Sequence, residues 1–199
     1  MGSIQPGSLV NSDFAPSCGM EKSKFLTTTS SQPVLMTSLR VHDAPTTVLP
    51  GTAATDDLAL TVGTWGTNDL LVESSDSAAD IVTQYMYFEV EVPRGYTGGT
   101  AAVLFACKME VVSDGTATID LEGYTSDEDA TLTGDIVTTA AQSINSAAYA
   151  TKSFTLNEGL ITAGDRLLFR AKIYINDAAT GSGVIANIAS IKRQFAVYG

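Results

Sequence analysis

Few residues in this chain have the type and spacing to do chemistry. The single histidine is His42, in the Pro-flanked stretch His42-Asp-Ala-Pro45. A general base needs a partner that positions it in a pocket, so a surface or hydrogen-bonded role is expected for His42. The chain has no G-x-S-x-G elbow, no H-E-x-x-H and no phosphate-binding loop, and Gly181-Ser-Gly183 reads as a bare turn. The two cysteines, Cys18 and Cys107, lie far apart, and with one histidine they set zinc ligation aside. No catalytic residue, metal ligand or cofactor site is therefore assigned.

Carboxylates are the next candidates. Glu89 and Glu91 share one face of an expected strand, which puts them about 7 Å apart. Glycosidases use paired acids at such a distance. In a chain with 22 acids, such a pair is better read as a solvated face. Asp127-Glu-Asp129 lacks the D-x-D-x-D-G order of a calcium loop. Aromatic residues offer a different chemistry, because an amphipathic ring can stack on a sugar. Trp65, Tyr85 and Tyr87 are the candidate sugar platform, with Tyr96 and Tyr124 as further exposed aromatics. One tryptophan in 199 residues is a thin supply for such a site.

The totals narrow the partners. The formal charge is −11, and the sequence pI is about 4.3. Residues 1–50 are neutral, with Asp13, Glu21 and Asp43 against Lys22, Lys24 and Arg40. The remaining 19 acids and 8 bases fall in residues 51–199. So acidic a surface repels a phosphate backbone and an anionic bilayer, so no nucleic acid and no membrane are expected as partners. The longest apolar run, Ala101 to Cys107, is seven residues, against about 20 for a helical span. No charged segment leads into an apolar stretch at the N-terminus, so no secretory signal is expected. A disulfide scaffold is excluded, while a single Cys18–Cys107 bridge stays open. Hydrophobic content of 44% and a mean hydropathy of +0.14 allow a substantial core.

The elements that would position these residues are strands. In Tyr85 to Val92, Met86, Phe88, Val90 and Val92 alternate with Tyr85, Tyr87, Glu89 and Glu91. That period of two marks a half-buried strand. Further strands are expected at Leu58–Val62, Leu70–Glu73, Ala101–Val112, Ala117–Tyr124, Lys152–Leu156, Arg166–Asn176 and Val184–Tyr198. Gly98-Gly99 is expected to lie in a connection, and a bulge near Lys192-Arg193. Cys107 alternates with Val103, Phe105 and Met109, as a buried thiol would. Ala101–Val112 is apolar on both faces, which fits a central strand or a subunit contact. About eight strands with little helix give an all-β, antiparallel sandwich of jelly-roll type. Residues 1–50 are rich in Ser, Thr and Pro and show no periodicity. They are expected to form an extended N-terminal arm and connector, ahead of a sandwich domain at 51–199.

Three segments carry a resemblance: Leu49-Pro-Gly-Thr-Ala-Ala-Thr-Asp-Asp-Leu-Ala-Leu60, Ala140-Ala-Gln-Ser-Ile-Asn145 and Asn176-Asp-Ala-Ala-Thr-Gly181. They resemble β-rich proteins of tailed phages. The layout of arm and acidic jelly roll is similar to that of capsid cement, or decoration, proteins. The resemblance implies a structural virion protein, made in the host cytoplasm, that stabilises the outer surface of an assembled capsid and is not an enzyme. Its implied partners are the major capsid protein and further copies of itself, a homotrimer before a homodimer. On that reading Phe14, Phe25, Leu35 and Leu39 anchor the arm. The alternative is a carbohydrate- or receptor-binding sandwich on the virion surface, using Trp65, Tyr85 and Tyr87.

Overall fold

The computed structural model describes residues 26–62, 69–76, 78–110, 115–126, 131–177 and 183–198. Its strands, in chain order, are β1 (Thr27–Pro33), β2 (Ala59–Val62), β3 (Leu70–Glu73), β4 (Ile81–Glu91), β5 (Tyr96–Met109), β6 (Gly115–Ser126), β7 (Gln142–Ser143), β8 (Ala150–Thr155), β9 (Arg166–Asp177) and β10 (Ala186–Tyr198). They form a six-stranded sheet in the order β2-β3-β10-β5-β8, with β1 also on β10, and a four-stranded sheet in the order β4-β9-β6-β7. Every strand pair is antiparallel.

The pairings nest. β3 meets β10, β4 meets β9, β5 meets β8 and β6 meets β7. A long antiparallel ribbon rolled over onto itself gives this order, which is the expected jelly roll. β3 to β10 make the roll, and β1 and β2 extend its larger sheet.

Alternation in each strand builds the core. β4 contributes Met86, Phe88 and Val90, and β9 contributes Leu167, Phe169, Ala171, Ile173 and Ile175. From the other sheet come Val103, Phe105, Cys107 and Met109 of β5, with Phe154 of β8. Phe88 stacks on Phe169 at 5.3 Å within one sheet and meets the edge of Phe105 at 6.1 Å in the other. Phe105 in turn meets Phe154 edge-on at 5.7 Å. Both geometries suit the ring quadrupole. Gly123 lies opposite Phe169 in the ladder. A Cβ there would come within 2.5 Å of the Phe169 ring, so only glycine leaves the ring room.

Several expectations need correction. The unpatterned segment before residue 50 is not all arm. β1 pairs with β10 over its full length, and Val34, Leu39, Val41 and Leu49 are buried in the common core. The sandwich therefore starts no later than Thr27. β1 is not legible in the sequence because its TTTSSQP residues are exposed throughout or nearly so and leave no apolar alternation to read. β5 begins at Tyr96, so Gly98 and Gly99 lie inside the strand. Their φ values of 72° and 125° place them in the region that favours glycine. In β10 the register shifts fall between Ile188 and Ser190 and between Phe195 and Val197, on either side of the expected bulge. The doubly apolar strand is central: β5 lies between β10 and β8. The outward residues Leu104 and Ala106 are half-buried among Ser190 and Lys192 of β10 and Thr151 and Ser153 of β8. Val112 and Asp127–Asp129 lie outside the described residues.

Two outcomes follow from this core. Leu39 has no exposed surface, so Leu39→Ala should lower unfolding free energy by about 2–5 kcal/mol in urea denaturation, the range for leucine cavities. An arm contact at Leu39 would leave the isolated chain's stability unchanged. Burial pushes the Cys107 thiol up from its ordinary 9.0 to about 12. The folded state then holds the proton that the unfolded chain releases, so this contribution to stability is complete below about pH 9 and is lost as pH rises to about 12. In a Cys18→Ser background, Ellman's reagent at pH 8 should leave the native protein unmodified and label Cys107 on unfolding.

Candidate functional site

The outward face of the four-stranded sheet gathers aromatic and charged side chains from β4, β9 and β6. Period two puts Tyr85, Tyr87 and Glu89 of β4 on the side opposite Met86 and Phe88. The ladder then fixes their neighbours. Tyr85 lies beside Lys172 and, across β9, Asp120. Tyr87 lies beside Arg170 and then Glu122. Glu89 lies beside Leu168 and then Tyr124. Three rows of three residues thus cross the middle of the sheet.

Most of the polar groups are bound to one another. Arg170 donates to Glu122 Oε2 from Nε at 3.1 Å and from Nη2 at 2.6 Å. Lys172 Nζ lies 2.9 Å from Asp120 Oδ2. The Arg170 guanidinium also lies over the Tyr85 ring, 5.2 Å from its centre. The Tyr87 hydroxyl donates to Glu89 Oε1 at 2.7 Å. Burial pushes the Tyr87 phenol well above its ordinary range, and the Glu89 hydrogen bond acts in the same direction. Tyr87 therefore stays a neutral donor at any physiological pH. These ion pairs are partly solvated and contribute on the order of 1 kcal/mol or less to stability. Their main effect is to hold rings and carboxylates in fixed positions.

Tyr87 forms the ridge between two shallow hollows. One, of about 270 Å³, is lined by Tyr87, Glu122, Tyr124, Leu132, Leu168 and Arg170 with the edge of Phe169. The other, of about 280 Å³, is lined by Ser38, Arg40, Pro45, Tyr87 and Glu89. Each is smaller than a usual small-molecule pocket. The two hollows share Tyr87 and open on the same side of the sheet.

The edge of this face is built by the segment expected to be a connector. β4 is an end strand of its sheet. Arg40 and Tyr87 exchange backbone hydrogen bonds of 2.9 Å each. Tyr85 N–H donates to the Asp56 carbonyl at 2.7 Å, and Leu58 N–H donates to the Tyr85 carbonyl at 3.0 Å. An open strand edge is thereby covered. The same clasp sets the His42 ring on the Tyr85 ring, with centres 4.6 Å apart and planes 34° apart.

Of the expected platform residues, Tyr85 and Tyr87 share the outward face of β4, while Trp65 lies outside the described residues. Tyr124 joins them. Tyr96 does not: it is buried against Phe195, with its hydroxyl donating to the Gly99 carbonyl. Of the expected arm anchors, Leu35 is 69% exposed, and Leu39 is buried in this chain. Phe14 and Phe25 lie outside the described residues. Glu89 and Glu91 are both exposed, and Glu89 is hydrogen-bonded to Tyr87. Neither sits in the desolvated pocket that sets a glycosidase acid apart. Sequence reading missed Arg170, Glu122 and Leu168. Their outward direction was legible, but their alignment with Tyr87 and Tyr124 depends on cross-strand register.

No family model and no curated protein matches the chain. Among solved structures, it is similar to a xylan-binding module, CBM15, with 13% identity and a TM-score of 0.44 over 86% of this chain and all of that one. It is also similar to CBM27-1 of Caldicellulosiruptor saccharolyticus, solved with mannohexaose, with 8% identity and a TM-score of 0.42 over 78% of this chain and 89% of that one. A third is a CBM61 module solved with β-1,4-galactotriose, with 12% identity and a TM-score of 0.36 over 87% and 88% of the two chains. At such identities and scores, the likeness assigns this chain neither a family nor a function.

Proposed function

We propose that this chain is a non-catalytic carbohydrate-binding module, and that the outward face of the four-stranded sheet is its platform. The observation that carries this reading is the placing of Tyr85 and Tyr87 on β4 and Tyr124 on β6, on one face with the Arg170–Glu122 and Lys172–Asp120 pairs. A pyranose presents a C–H face and a rim of hydroxyls. The weakly positive C–H bonds pack on the negative face of a tyrosine ring. The hydroxyls donate to carboxylates and accept from guanidinium or ammonium groups. Because the polar groups are already held in pairs, little side-chain entropy is lost on binding. An open face with shallow hollows on both sides of Tyr87 admits a chain of sugars rather than a single enclosed one.

The capsid-binding reading is a second proposal, and one observation favours it. Leu26 and Leu35 are exposed at 82% and 69%, on either side of β1. Among the described residues, β1 pairs only with β10, so its outer edge is open to another chain. Exposed apolar residues beside an open edge are a usual mark of an interface. Leu35 keeps its proposed role here, and Leu39 loses it.

The two readings separate experimentally. Affinity electrophoresis in soluble xylan, mannan and galactan should retard the full chain in at least one gel. Tyr87→Ala and Arg170→Ala should each weaken retention about tenfold, which is about 1.4 kcal/mol, with the circular dichroism spectrum unchanged. No retardation in any polysaccharide, together with no signal on a glycan array, would sink the carbohydrate reading. For the second proposal, deleting residues 1–25 or introducing Leu35→Asp should abolish co-sedimentation with shells of the capsid protein. Undiminished co-sedimentation of both variants would exclude this segment as the anchor.

A further inference from the structure

The clasp at the edge of β4 brings together residues that lie far apart in the chain. From one side come His42 and Asp43, just after the Arg40 pairing. From the other come Asp56 and Asp57, on the turn closed by Asp57 N–H to the Ala54 carbonyl at 2.9 Å. That turn holds Thr55 at a φ of 51°, a conformation that β-branched residues avoid. The His42 side chain is 12% exposed, with Nδ1 3.5 Å from Asp57 Oδ1 and Nε2 3.7 Å from Asp56 Oδ2. His42 Nδ1 and Asp57 Oδ1 are both buried and have no hydrogen-bond partner. One ligand atom from each of His42, Asp43 and Asp57 falls within a 4.8 Å cluster.

We propose that His42, Asp43 and Asp57 form a binding site for a divalent transition-metal ion. These two buried polar atoms face each other at 3.5 Å without a hydrogen bond, and a buried polar group left so is costly. An ion between them satisfies both. Zinc bonds of about 2.1 Å to nitrogen and oxygen, opened at a tetrahedral angle, put the two ligand atoms about 3.4 Å apart, and the observed separation is 3.5 Å. Asp43 is exposed, so its carboxylate closes the site from the solvent side by rotation and leaves a position for water. One imidazole and two carboxylates suit a first-row transition-metal ion, such as zinc or manganese. Calcium and magnesium prefer an all-oxygen shell. Asp56 lies beyond Nε2, where a carboxylate fixes the tautomer and orientation of a ligating imidazole.

The ion would tie the His42 loop to the Asp56–Asp57 turn across the end of the clasp. It would also fix the ring that lies on Tyr85. The site stands without the carbohydrate reading, and its test needs no sugar. The full chain is stripped with EDTA, dialysed and titrated with zinc chloride alone by calorimetry. One ion per chain is expected, with micromolar or tighter affinity and a rise in melting temperature. His42→Ala and Asp57→Asn should each weaken zinc binding at least tenfold. Should either variant fail to fold, the exposed Asp43→Ala provides the same comparison, with at least a threefold loss. A plain histidine–carboxylate ion pair is the rival. In that case the His42 imidazole resonances would titrate with pH identically with and without zinc, and the proposal would fall. Absence of zinc and manganese binding up to about 1 mM would overturn it equally.

Discussion

A β-strand must turn consecutive side chains to opposite faces, and most of this molecule follows from how that constraint acts on β4. Burying Met86, Phe88 and Val90 leaves Tyr85, Tyr87 and Glu89 no choice but to face outward. Phe88 is the ring through which the two sheets touch, stacked on Phe169 and edge-on to Phe105. The core and the candidate binding face are therefore two sides of one strand. A register slip of one residue would exchange them, so the hydrophobic core enforces the tyrosine platform.

The open edge of β4 is the second element of the design. Left bare, it would offer unpaired backbone groups to another chain. Arg40 and the Asp56–Leu58 segment pair with it instead. This clasp has three consequences: it buries Leu39, Val41 and Leu58, it walls one hollow with Ser38, Arg40 and Pro45, and it delivers His42 to Tyr85. A stretch that reads as a loose connector is thus the piece that completes both the sheet and the site. β1 serves the larger sheet in a similar way, and Arg193 of β10 ties it in by donating to Gln32 and to the Glu91 carbonyl at the end of β4.

The chain's acidity takes on a more specific meaning in this setting. The strongly negative charge disfavours polyanionic partners, yet the central face is not simply acidic. Its carboxylates at Asp120 and Glu122 each have a basic partner on β9. Such a surface has fixed donors and acceptors with little local net charge. On the proposed carbohydrate reading, that is the surface a neutral, hydroxyl-rich ligand needs.

How much of this was written in the sequence depends on the range of the interaction. Alternation is local, so the inward and outward sets of β4, β6 and β9, the burial of Cys107 and the two-sheet class were all legible from residue order. Tyr85 and Tyr87 could be named as a pair because they sit two apart on one strand. Strand residues without apolar alternation were not legible. β1 carries no apolar face, and Gly98-Gly99 imitates a turn inside β5. Nor was any contact between distant segments, such as Arg170 with Glu122, Leu39 with the core, or His42 with Asp57, 15 positions apart in the chain. By itself the sequence determined which face each strand residue takes, because that is fixed by the pleat. The tertiary structure alone decided which residues meet, because register and edge pairing are settled by closing the whole core at once.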